Sequence, residues 1–281
     1  MKFLHRNASI SALFLFVIAC NGNKQNPNNT EVVNNNSDKS EVSDSSKTLK
    51  VYTLPAPLQI ATAVKTFDLS YSDKLLAPTN KSTTSYPTNY LKALNLGVLG
   101  VDMGYTTVYD QKQAALYYLS KVQKLTEELG IAGNFNLATI KRFKDNINNQ
   151  DSLYYIILQS FNDVHKYLHE NDRAGTGLLI LTGSFLEGLY LTTQFTHNKK
   201  DNRLINLISQ QQVFLDNLIE LLQNQNDKKE AAEILDQLKE LKIDFTGVTT
   251  TNGKANSPAI PDTQLVKITN KVALIRNKIS A

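Results

Sequence analysis

The chain has a single cysteine, Cys20, and no tryptophan. A lone thiol closes no intrachain disulfide, so the fold must be held by its core. The missing tryptophan removes the usual platform for stacking a sugar ring. Proline is also scarce where it matters: all seven lie at or before Pro87 or at Pro258 and Pro261, and the 170 residues from Thr88 to Ser257 contain none. Because proline is the strongest helix breaker, this gap suits consecutive helices joined by short polar turns. An excess of charge of one sign is nearly absent too. The chain holds 30 basic and 26 acidic residues, and removing residues 1–19, which contain Lys2 and Arg6, leaves 28 basic residues against the same 26. That balance is no footprint for nucleic acid.

The N-terminus has the three parts of an export signal. Lys2 and Arg6 make a positive start, and Ile10 to Ala19 is an apolar run broken only by Ser11. This run is far short of the roughly 20 residues that span a bilayer. It ends in Val17-Ile18-Ala19-Cys20, which resembles a bacterial lipobox. The resemblance implies cleavage before Cys20 and a diacylglyceryl thioether on its sulfur, usually with an added amide-linked chain. Several acyl chains anchor stably where one binds only marginally. The alternatives are an ordinary secretory signal with a chance cysteine, or an uncleaved anchor helix. Asn21 is not the Asp that marks inner-membrane retention in some bacteria, which favours the outer membrane.

Three regions follow: a signal peptide at 1–19, a lipidated cysteine with a flexible Asn/Ser-rich tether at 20–50, and a helical domain at 51–281. Eight asparagines fall between Asn21 and Asn36, and a Ser/Asp/Lys stretch runs on to Ser46. Such a segment buries too little apolar surface to offset its ordering entropy. As a disordered coil of ~30 residues it reaches roughly 30 Å, enough to lift a domain off a membrane.

The expected fold class is all-α, a single multi-helix domain of antiparallel helices with almost no strand. Helices are expected over roughly Thr88–Thr106, Asp110–Leu129, Asn136–Asn148, Asp151–Glu170 and Arg173–Phe195. Asp110 and Gln113 read as a cap and Gly130 as a stop. Between 202 and 224, Leu204, Ile208, Leu215, Leu218, Ile219 and Leu222 recur at helical spacing. Asp227 to Glu230 reads as a capping box for the next helix, with Ile234, Leu238 and Leu241 as its buried stripe. After Pro261, Leu265, Ile268, Val272, Ile275 and Ile279 form a last amphipathic stripe, and residues 55–77 add a short helix or two. No repeat of 20–50 residues recurs.

Two helices carry polar residues inside apolar stretches. In the first, Asp102, Tyr105 and Tyr109 share a face if the helix continues that far, among Gly97, Gly100 and Gly104. In the second, Glu187, Tyr190 and Gln194 follow Gly183 at helical spacing. An acid within an apolar helix must be paired, hydrogen-bonded or protonated. These six residues therefore line either a ligand pocket or a buried polar network, with glycines permitting close helix approach; such networks are common. His165 and His169 stand at i and i+4, a spacing zinc accepts, with Asp172 nearby. Neither an HExxH motif nor a second histidine cluster supports them, so no metal and no cofactor is expected. Gly175-Thr176-Gly177 lacks the rest of a phosphate loop, and Ser184 lies in no nucleophile elbow.

The stretch Gly97 to Tyr105, with Tyr109, Gln113, Tyr118, Leu125 and Gly130, is similar to a family of uncharacterised helical lipoproteins from Bacteroidota. Gly183-Ser-Phe-Leu-Glu187-Gly-Leu-Tyr190 carries the same resemblance, which spans most of residues 85–225. It implies an all-helical envelope protein and supplies no catalytic residue. The expected role is non-catalytic: a membrane-anchored lipoprotein that binds an envelope protein or a small ligand. Two other readings stay open. One is a hydrolase using Asp102 and Glu187 as acid and base, which needs both to line one accessible cleft with separated pKa values. The other is a purely structural envelope scaffold.

Overall fold

The fold is taken from a computed structural model. It describes residues 62–131 apart from 64, then 137–198, 201–225, 228–248 and 260–281. The expected signal peptide, Cys20, the expected tether, residues 249–259 and Asp227, expected to cap a helix, lie outside the described residues. Residues 51–281 form one compact unit. Among the described residues there are eight α-helices and no strand.

The helices are α1 (Asn89–Val108), α2 (Lys112–Glu128), α3 (Leu137–Asp145), α4 (Gln150–Glu170), α5 (Ala174–Asn198), α6 (Asn202–Gln223), α7 (Lys228–Asp244) and α8 (Asp262–Ile279). Their starts follow capping chemistry. Thr88 accepts the Leu91 N–H, Asn149 accepts the Ser152 N–H and Asp201 accepts the Arg203 N–H. The break between α1 and α2 differs from the expected cap. Asp110 takes φ 57° and closes the end of α1, while Gln111 precedes α2 without a side-chain cap. A short polar side chain tolerates that left-handed geometry, so Asp110 serves the preceding helix. Gly130, with φ 68°, ends α2 as expected.

α1 and α5 are the central pair and share the largest helix contact. α2 lies on α1, α4 lies on both central helices, α6 and α8 flank α5, and α7 covers α6 and α8. The glycines explain the closeness of the pair. A side chain at Gly97 would meet the Ile180 carbonyl and the Ser184 amide, and one at Gly183 would meet the Leu94 carbonyl. The two backbones touch where Cβ atoms are missing, and Ser184 Oγ donates to the Gly97 carbonyl at 3.3 Å. α5 is long and apolar enough to cross a membrane over Ala174–Thr196, yet 78% of its apolar window is buried inside the fold. It is the core helix against which α1, α4, α6 and α8 pack.

Before α1 runs an irregular strap, residues 68–86, containing only two single-turn 3-10 helices at Asp73–Leu75 and Thr83–Ser85. Leu69, Leu76, Ala77 and Tyr86 within it are buried. Where such an irregular segment is buried, its backbone must find hydrogen-bond partners elsewhere, and those partners define the candidate site.

Candidate functional site

An isolated carboxylate deep in an apolar helix is unstable unless charge and hydrogen bonds compensate it. α1 carries Asp102 and α5 carries Glu187, each 0% exposed. The crossing sets the two carboxyls close enough that Glu187 acts on the Asp102 carboxyl. The compensating cation comes from α8. Arg276 donates through Nε to Glu187 Oε2 at 2.7 Å and through a terminal nitrogen to Oε1 at 3.0 Å. This paired, fork-to-fork geometry is the strongest arrangement an arginine and a carboxylate make. The guanidinium also lies 4.8 Å from the centre of the Tyr190 ring, a cation–π contact from the same helix as Glu187.

Two acids and one arginine leave one negative charge too many. Burial, reinforced by the neighbouring Glu187 carboxylate, holds the Asp102 carboxyl well above the ordinary range, against the opposing pull of Arg276. With one cation beside two buried acids, the uncharged form of Asp102 is the one its surroundings favour. Its Oδ2 accepts the Ala77 N–H at 3.0 Å, whereas its buried Oδ1 meets no donor. Burial works against the Arg276 charge, but Glu187 outweighs it and raises the Arg276 pKa overall.

A second layer of polar groups grips the strap's backbone. Tyr105 Oη accepts the Ser72 N–H at 3.0 Å, and Tyr109 Oη donates to the Leu69 carbonyl at 2.6 Å. Tyr118, from α2, donates to the Ala77 carbonyl at 2.7 Å. Ala77 is thus held at both its N–H and its carbonyl, by Asp102 and by Tyr118. The Tyr71 ring from the strap stacks on Tyr105 at 5.4 Å, and Tyr105 lies 4.8 Å from Tyr109. Behind these, Asn95 of α1 donates to the Ile279 carbonyl at 2.7 Å and accepts the Ser280 hydroxyl, fastening the end of α8.

The predicted residues divide accordingly. Asp102, Glu187 and Tyr190 come together around Arg276, and Tyr105 beside Asp102 holds the strap at Ser72. Tyr109 joins although α1 ends at Val108, because it caps the helix while its hydroxyl still reaches the strap. Gln194, half-buried further along α5, takes no part in these bonds. His165 and His169 are exposed on α4, and among the described residues no group of three or more metal-binding side chains is assembled. Sequence reasoning missed Arg276, Tyr118 and Asn95. A signal for Arg276 did exist, since Val272, Arg276 and Ile279 fall at i, i+4 and i+7 on the buried stripe of α8.

No family model matches the chain, and no curated protein or solved structure is similar to it. Function must therefore be argued from the residues. Acid–base catalysis needs its two carboxyls on an open cleft, whereas here both are sealed and Glu187 spends both oxygens on Arg276. Two hollows elsewhere include neither acid. One is an apolar cavity of about 30 Å³ lined by Leu96, Met103, Val122, Ile157, Phe161 and Ile180. The other is a surface hollow of about 350 Å³ between α3 and α4, lined by Arg142, Asn146, Asp151, Ser152, Tyr155 and Ile156.

Tyr118→Phe tests the grip on the strap. It leaves the buried Ala77 carbonyl without a donor, for which about 1–3 kcal/mol of stability is expected to be lost. Urea unfolding of the variant against the parent protein measures this, and an unchanged midpoint contradicts the assignment.

Proposed function

We propose that this is a lipid-anchored protein of the bacterial cell envelope, held at the outer membrane through Cys20, whose helical domain binds a partner protein or small ligand without catalysing a reaction. The observation that carries the anchor is the Ile10–Ala19 apolar run ending in Val17-Ile18-Ala19-Cys20 after a basic start. The likeness to helical lipoproteins in residues 85–225 agrees with it. Non-catalytic binding is supported by the use made of the polar core: Asp102, Tyr105, Tyr109, Tyr118 and Arg276 are all engaged in holding the chain's own segments. The hollow between α3 and α4, where Tyr155 is 60% exposed, is the concave surface best placed for a contact.

Metabolic labelling with a clickable fatty acid, followed by membrane fractionation, tests the anchor. The natural chain is expected to take up the label and sediment with outer membranes, and Cys20→Ser to lose both. A labelled, membrane-bound Cys20→Ser protein removes this reading. For the binding half, crosslinking in intact cells is expected to trap an envelope protein on the α3–α4 face. A domain that traps none, and whose melting temperature no envelope extract shifts, favours the scaffold reading instead.

A further inference from the structure

We propose that the Asp102–Glu187–Arg276 cluster is a proton-operated latch: while the two carboxyls share a proton the strap lies closed over Asp102, and loss of that proton lifts it. The inference stands on the fold alone and does not depend on the lipid anchor.

The geometry supplies three parts. The cluster is sealed, with Asp102 and Glu187 fully buried and Arg276 only 6% exposed, so a change of charge cannot be relieved by water already present. Arg276 is committed to Glu187 through two hydrogen bonds, which leaves Asp102 no cation of its own. Of the segments hydrogen-bonded to Asp102, the strap is the one without a helical ladder to lose. It is attached at Ala77 by one bond to Asp102 and one to Tyr118, with further single bonds at Leu69, Ser72 and Leu75, while its far end is held separately through Lys81 and Thr83. An ionised Asp102 would accept the Ala77 N–H more strongly, but one amide does not offset an unpaired buried carboxylate. Lifting the strap lets water reach the charge while α1, α5 and α8 keep their packing.

The groups facing Asp102 make it the one that titrates. Glu187 and Tyr190 face it from α5, Arg276 from α8, Tyr118 from α2, Tyr105 from its own helix, and Tyr71 and Tyr86 from the strap. Burial raises the pKa of all five tyrosines, keeping them neutral phenols, and Lys81 of the strap is held down by burial and by Arg276. The sign follows from the raised Asp102 pKa. With the strap open the carboxyl is hydrated and returns towards the ordinary carboxylate range, so opening releases a proton. The closed form is fully favoured below that ordinary range, and its advantage is lost progressively as pH rises towards the raised value.

Hydrogen exchange of the full-length chain in detergent, read by mass spectrometry from about pH 5 to about pH 8, spans the rise above the ordinary carboxylate range. Protection is taken against unfolded peptide at the same pH. In the natural protein, protection of amides in 69–77 is expected to fall with pH by up to about tenfold per unit, the limit for one proton, while amides of α5 keep theirs. Asp102→Asn keeps an acceptor for Ala77 and offers Glu187 a donor, so its strap is expected to stay protected and flat with pH. Glu187→Gln leaves one carboxylate facing Arg276 and should also be flat, which gives a second test should the Asn variant fail to fold. Flat protection in the natural protein overturns the latch. So does a decline of equal steepness in Asp102→Asn, or a loss shared equally by α5.

Discussion

Replacing Arg276 by methionine is expected to destabilise the protein by about 3–5 kcal/mol, the range for removing one partner of a buried ion pair. The side chain carries more than charge. It donates two hydrogen bonds to Glu187, rests its guanidinium on Tyr190 and reaches the Leu75 carbonyl of the strap at 3.5 Å. Methionine fills much of the space, so the loss is chiefly electrostatic: Glu187 remains sealed beside Asp102 with no cation. The double variant Arg276→Met with Glu187→Gln is expected to recover a substantial part, because neutral groups of similar shape replace both charges. Urea unfolding of the three proteins, analysed as a double-mutant cycle, gives the coupling. Lys271→Ala removes a pair with Glu240 at 2.9 Å on the same helix, where both side chains reach water, and little change is expected there. Equal effects for Arg276→Met and Lys271→Ala would show that the buried cluster contributes nothing special.

Gly183→Ala is expected to be at least as damaging. The added methyl points into the Leu94 carbonyl of α1, and Gly97 faces the α5 backbone from the other side. Overpacking against flexible side chains costs about 1–3 kcal/mol; here the obstruction is backbone at the closest point of the central pair, which no rotamer change relieves. α1 and α5 must move apart, carrying Asp102 away from Glu187 and loosening the strap. The expected outcome is a fall in yield and melting temperature, with exchange protection lost in both helices. Gly177→Ala, on the same helix, meets only the Leu168 side chain at 3.7 Å and should be tolerated. A Gly183→Ala protein as stable as Gly177→Ala would refute the contact that organises the fold.

These two positions differ in how far they could be read in advance. Gly183 and Gly97 stood out as small residues inside apolar helices, and close approach was their expected use. Asp102, Tyr105, Glu187 and Tyr190 were visible for a related reason, as polar side chains where periodicity demands burial. Arg276 was hidden because a long basic side chain near the end of an amphipathic helix normally reaches solvent. Tyr118 was hidden because a tyrosine on a buried stripe looks like ordinary core. Gln194 and Asp110 misled in opposite ways. Gln194 keeps the spacing of Glu187 and Tyr190 but lies beyond the reach of Arg276, while Asp110 resembles an N-cap and instead turns the chain out of α1.

The proline-free stretch and the 3.6-residue periodicity determined by themselves that this is a chain of helices, because those signals act within a turn or two of backbone. They also determined which side chains had to be inside. Local pattern carries no information on what meets across a helix crossing, however. That Asp102 and Glu187 lie side by side, that the cation beside them comes from the last helix, and that the tyrosines grip a strap preceding the first, were decided only by tertiary structure. Each depends on residues far apart in the chain arriving within a few ångströms, where burial turns an excess charge into a constraint on the whole fold.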